Sequence, residues 1–279
     1  MKKLLLFSLF CVSLVFAKPL VVVSIPTQEY FVEKIAGDSL EILVMVSPSA
    51  NHETYEPKPS QMSKLSNSTI YFAIGLPFED VWLKRFVASS PNMKIVRTDT
   101  NITKLDMIES DEHSGHKHGV KDPHIWLDPL LIKQQALTIA LSLSEIFPQN
   151  REFYMENLEK FNSELNKLHD ELFEKLSKSE NRDFLVFHPS LGYFANRFNL
   201  NQIAIEIEGK EPKAAELVEL LKLAKEKNIK ILFSEPQISS KSANLIAKEI
   251  SAKIYIFDPL KKDVIKNLTD FTNTLLEGK

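Results

Sequence analysis

Neutral imidazole is the commonest transition-metal ligand among side chains, and this chain distributes its seven histidines unevenly. Four fall within DEHSGHKHGVKDPHIWLDP, as His113, His116, His118 and His124. His52 lies in SPSANHETYEPKPSQ, His188 in FLVFHPSLGYFANRF, and His169 in a charged segment. Imidazoles this crowded suggest a metal. Two acidic residues share the setting of His188: Glu235 in KILFSEPQ and Asp258 in KIYIFDPL each close an apolar run and precede a proline. Cys11 is the sole cysteine, so any metal chemistry of a chain processed beyond it rests on His, Asp and Glu.

The elements that must position these residues can be read from the apolar runs. Strands are expected at Leu20–Ile25, Glu41–Val46, Thr69–Ile74, Lys94–Arg97, Phe184–His188, Gln202–Ile207, Lys230–Ser234 and Lys253–Phe257. Most are apolar on both faces, as parallel strands covered by helices are. The expected class is α/β, with two lobes, each a mainly parallel sheet flanked by helices. Between them Leu130–Phe147 reads as a helix stopped by Pro148. Asn150 is placed to cap a second, running to about Ser177. Tyr154, Leu158, Phe161, Leu165, Leu168, Leu172 and Leu176 recur at spacings of three and four. That stripe predicts one long rigid helix packed along both lobes; a coiled-coil dimer is the other reading. The expected division is 18–149, a linking helix at 150–180, and 181–279.

Ligands of open α/β sheets bind at the carboxyl ends of the strands. His188, Glu235 and Asp258 all fall there, while His52 and His124 fall in loops of the first half. If the lobes face each other, His52 and His124 meet His188 and Asp258, a four-coordinate set that suits Zn²⁺ at ~2.0–2.2 Å. Glu53 and Glu235 could orient imidazole N–H groups or complete the shell. Each residue alone also has an ordinary role. His188 is then a hydrogen-bonded strand-end residue, His52 a turn residue, and Asp258 and Glu235 are helix caps. His169 reads as solvated. His113, His116 and His118 share DEHSGHKHG with two glycines and no apolar residue, a composition that packs no core. The segment 111–120 is therefore read as an accessory metal-binding loop, and His124, stiffened by Pro123, as a fixed ligand.

MKKLLLFSLFCVSLVFAKP carries Lys2 and Lys3, an apolar run from Leu4 to Phe16 and a small residue at Ala17. It reads as a secretory signal peptide at 1–17, cut after Ala17, because about 13 apolar residues fall short of the ~20 that span a bilayer. Processing would move the formal charge from −3 to −5 as Lys2 and Lys3 leave. That mild acidity is no footprint for nucleic acid. With 7 Gly in all, no G-x-G-x-x-G, P-loop or G-x-S-x-G is present, and no H-E-x-x-H.

HETYEPKPSQ, DPHIWLDP, FHPSLGYFANRF, FSEPQ and IYIFDPL, in that order, resemble the metal-binding solute receptors of ABC importers, the zinc and manganese group. The resemblance spans nearly the whole chain after the signal. It implies two α/β lobes joined by a long helix, with metal between them held by His52, His124, His188 and Asp258. Manganese receptors of the group tend to carry Glu where His188 stands, so the resemblance points to the zinc branch; imidazole-rich sites also favour Zn²⁺ over Mn²⁺. One departure concerns HETYEP, where Glu53 occupies the commoner ligand position and is the alternative to His52. The implied protein is a periplasmic, monomeric Zn²⁺ receptor that serves an ABC permease in the inner membrane and is not an enzyme. The other readings are a manganese receptor, a secreted zinc hydrolase with Glu235 as base, and an adhesin-like surface protein.

Overall fold

A parallel sheet buried on both faces needs a helix after each strand, and the chain builds that arrangement twice. The structure, a computed structural model, describes residues 17–48, 50–107, 121–206, 210–238 and 240–278. Residues 1–16 of the expected signal peptide and the histidines His113, His116 and His118 lie outside the described residues.

The first lobe runs β1 (Leu20–Val23), α1 (Pro26–Ala36), β2 (Glu41–Val44), α2 (Pro59–Leu65), β3 (Ile70–Ala73), α3 (Pro77–Ser89) and β4 (Lys94–Arg97). A 3₁₀ turn at Ile125–Leu127 leads into α4 (Pro129–Ile146) and then α5 (Arg151–Ser177). The second lobe runs β5 (Asp183–Val186), α6 (Gly192–Arg197), β6 (Asn201–Ala204), α7 (Ala214–Glu226), β7 (Ile231–Ser234), α8 (Ser240–Glu249), β8 (Lys253–Ile256) and α9 (Val264–Glu277). Proline opens α1, α2, α3 and α4, where its missing N–H costs no helical hydrogen bond.

Both sheets are four-stranded, and their orders correspond: β2-β1-β3-β4 and β6-β5-β7-β8. All pairings are parallel, with Val21 opposite Ile42 and Ile70 in one sheet, and Leu185 opposite Ile203 and Leu232 in the other. Each chain path reverses beside its central strand, leaving a crevice at the carboxyl edge.

Helix α5 joins the lobes. At 27 residues it is ~40 Å long. Its buried positions are Tyr154, Leu158, Phe161, Leu165, Leu168, Leu172 and Leu176, the apolar stripe of the sequence. It packs on α1 and α4 at one end and α9 at the other. Lys34–Glu164 at 2.6 Å fastens it to the first lobe, and Lys175 Nζ donates to Asn273 Oδ1 at 3.0 Å in the second. One apolar core runs from the first sheet through the stripe to Phe184, Phe233 and Phe271.

Three local expectations differ. Asn150 makes no side-chain cap; its amide donates to Tyr154 Oη at 3.1 Å instead. Asp263, not Asp258, caps α9 by accepting Lys266 N–H. His169 is half-covered, packed against Phe198 and Phe173 and bonded to Asp170, because α6 ends beside that face of α5.

Candidate metal centre

Loops leaving the carboxyl edges of the two sheets bring distant histidines together. His52 comes from the β2–α2 connection, His124 from the segment after β4, and His188 from just beyond β5. All three are buried, His124 completely. One nitrogen from each lies within 4.8 Å of the others, the only such group of His, Cys, Asp or Glu donors among the described residues. His52 Nε2 and His124 Nε2 face each other at 3.0 Å. The His188 ring centre is 5.2 Å from that of His124 and 6.2 Å from that of His52.

Two of the rings are held from behind by carboxylates. Asp122 Oδ1 lies 2.7 Å from His124 Nδ1 and accepts the His124 backbone N–H at 2.8 Å. Glu206 Oε2 lies 2.7 Å from His188 Nδ1. A carboxylate on Nδ1 sets the tautomer and turns the Nε2 lone pair inward, the arrangement found behind metal-binding imidazoles. His188 Nε2 is buried and has no hydrogen-bond partner among the described residues; neither has Glu235 Oε1. Buried polar atoms are normally satisfied, so convergent nitrogens beside an unpartnered carboxylate oxygen fit a bound cation.

The electrostatics separate the rings. Burial and the neighbouring imidazoles His124 and His188 hold His52 well below the usual histidine range, so it stays neutral. Burial also opposes a charge on His188, but the Glu206 hydrogen bond and the charges of Glu235 and Glu53 outweigh it and push the group up to about 9. Burial raises both Glu235 and Asp258.

The other expected residues are distributed as follows. Glu53 Oε1 stands 3.7 Å from His188 Nε2. Glu53 and Glu235 join His52 and His188 in lining a cavity of about 80 Å³. Asp258 lies outside the three-histidine group, with Oδ1 accepting Leu260 N–H at 2.9 Å. It lines a neighbouring cleft of about 450 Å³ between the lobes. Its backbone is fixed by Asn267 Nδ2, which donates to its carbonyl at 2.8 Å.

Asp122 and Glu206 are functional residues that the sequence reading missed. The D-P-H spacing was a readable signal for Asp122, since an Asx turn brings its carboxylate onto the residue two positions later. Glu206 follows β6 much as His188 follows β5, so strand-end position alone would have nominated it.

Two parallel-sheet lobes bridged by one long helix, with buried imidazoles gathered at facing strand ends, define a metal-binding receptor of the solute-binding class. The chain belongs to the ZnuA family, the periplasmic zinc-uptake complex component A, matching it across residues 21–277. The ZnuA high-affinity zinc uptake system protein of Bacillus subtilis strain 168 is 27% identical over 243 residues, 83% of this chain and 75% of that protein. Its Yersinia pestis counterpart is 27% identical over 282 residues, 93% of this chain and 88% of that protein. A crystal structure of ZnuA is 44% identical, with TM-score 0.88, covering 94% of this chain and 99% of that one. The chain is thus a zinc-uptake solute-binding protein with Zn²⁺ as its ligand, a receptor and not an enzyme.

Proposed function

We propose that this protein captures Zn²⁺ outside the cytoplasmic membrane and delivers it to the permease of an ABC importer, acting as a monomer. The observation that carries the reading is the buried group of His52, His124 and His188, with their nitrogens within 4.8 Å. These three imidazoles are the proposed protein ligands. Asp258 supplies the fourth ligand by turning its carboxylate from Leu260 N–H, and Glu53 is the competing carboxylate. Three neutral nitrogens with one carboxylate suit zinc's tetrahedral preference and disfavour oxygen-seeking Mn²⁺. Residues 1–17 are proposed as the cleaved export signal. The lobes are assigned to 18–149 and 181–279, with the link at 150–180. His113, His116 and His118 are assigned an accessory role, collecting metal in the loop 111–120.

Calorimetric titration of the metal-free protein with ZnCl₂ tests this reading. One site tighter than micromolar is expected, retained when 111–120 are deleted and lost when His188→Ala and Asp258→Ala are combined. Glu53→Ala, compared with Asp258→Ala, decides the carboxylate. Binding no tighter than micromolar, or tight binding undiminished in the double variant, contradicts the proposal.

A further inference from the structure

His124 precedes the linking helix in sequence, yet the second lobe holds it in place. Helix α6 makes this connection. Tyr193 Oη donates to the Asp122 carbonyl at 2.8 Å and accepts Leu105 N–H at 3.0 Å, which occupies its donor and one acceptor site. Arg197 Nε lies 3.1 and 2.9 Å from the two Asp128 carboxylate oxygens, and its Nη2 is 2.9 Å from Oδ2. Asp128 also accepts Leu130 N–H at 2.8 Å, so the same carboxylate caps α4. Between these anchors, Trp126 Nε1 donates to the Pro259 carbonyl at 2.8 Å. The segment from Asp122 to Asp128 is therefore tied to the second lobe at both ends and in the middle.

Gly192 explains how α6 comes so close. A Cβ at that position would stand 2.7 Å from Asp122 Oδ2, nearer than side-chain carbons tolerate. Asp122 is the carboxylate that holds both the ring and the backbone of His124. The chain of contacts thus runs from α6 through Asp122 to the His124 ring. It sits on the same loop-and-helix segment that carries His188.

We propose that Tyr193 and Arg197 are positioning residues for zinc capture. They fasten the 122–128 segment to the second lobe, so His124 and His188 form one preset pair before metal arrives. This inference rests on the reading that His124 holds zinc. Preset ligands bind more tightly because less ordering remains to be done on binding.

The test compares Tyr193→Phe and Arg197→Lys with the wild-type protein. Zinc affinity is measured by competition with a chromogenic chelator, and ligand geometry by the visible absorption of the Co²⁺-loaded protein. Asn157→Ala is the stability comparator, since Asn157 Nδ2 donates to the Ile35 carbonyl at 3.0 Å, away from the site. Both positioning variants are expected to weaken zinc binding by about 10–100-fold and to alter the Co²⁺ bands, while Asn157→Ala leaves both unchanged. Wild-type affinity and spectrum in the two variants would overturn the inference. So would an affinity loss no larger than that of Asn157→Ala with an unaltered spectrum. If one variant does not fold, the other decides. A His124→Ala protein that keeps wild-type zinc binding would instead defeat the site assignment itself.

Discussion

His52 and His188 share one buried group yet are driven in opposite directions. His52, among apolar atoms and other imidazoles, is held neutral. Burial opposes a charge on His188, but Glu206 behind the ring and Glu235 and Glu53 facing it push the group up to about 9. If His188 is a ligand, as proposed, zinc needs its unprotonated ring, and binding at neutral pH expels the proton. Apparent affinity therefore rises with pH while that proton remains bound and levels off above about 9. The expected slope is up to roughly tenfold per pH unit. Calorimetry in buffers of different ionisation enthalpy measures the released protons, and Glu206→Gln should flatten the dependence. Affinity independent of pH between 7 and 9 would contradict a proton held on His188 in the metal-free protein. At this scale the three histidines that the structure gathers were legible in the sequence, but not what holds them. His52, His124 and His188 stood out by residue type and strand-end placement. Asp122 and Glu206 were hidden because acidic residues are common and their roles depend on rings brought near by tertiary structure.

Among the elements, α5 was the most readable because its stripe depends only on local spacing. All seven apolar positions are buried. Leu165 is fully buried in the helix that bridges the lobes. Leu165→Ala is expected to cost about 2–5 kcal/mol, checked by urea denaturation followed by far-ultraviolet circular dichroism, which reports the helices of both lobes. Because one core runs from lobe to lobe, the helices of both lobes should unfold in a single transition. A loss below about 0.5 kcal/mol, or two separate transitions, would contradict a shared core. Strand positions were also readable, since β-branched runs such as VVVSI are apolar on both faces. Asn150 was misread because capping propensity says nothing of a nearby Tyr154 hydroxyl, which took the side chain instead.

At the scale of the whole molecule, the corresponding strand orders of the two sheets aim both carboxyl edges into one cleft. Sequence reading expects two ligands from each lobe; the structure gathers His52, His124 and His188 and leaves Asp258 outside that group. Although it precedes α5 in the chain, the His124 segment is attached to the second lobe by hydrogen bonds from Tyr193 and Arg197 and by the Trp126 N–H donated to the Pro259 carbonyl. That attachment could not be read beforehand, because it consists of contacts between residues ~70–130 positions apart. It leaves the His52 loop as the first lobe's own contribution, tied across the cleft where Gln237 Nε2 donates to the Pro48 carbonyl at 2.9 Å. In the proposed site, three histidines remote in sequence close on a single zinc ion. Anomalous scattering from a crystal of the zinc-loaded protein, collected on both sides of the zinc edge, tests it most directly. One buried zinc peak is expected at ~2.0–2.2 Å from a nitrogen of each of His52, His124 and His188. A principal peak elsewhere, or one contacting fewer than two of these rings, would contradict it.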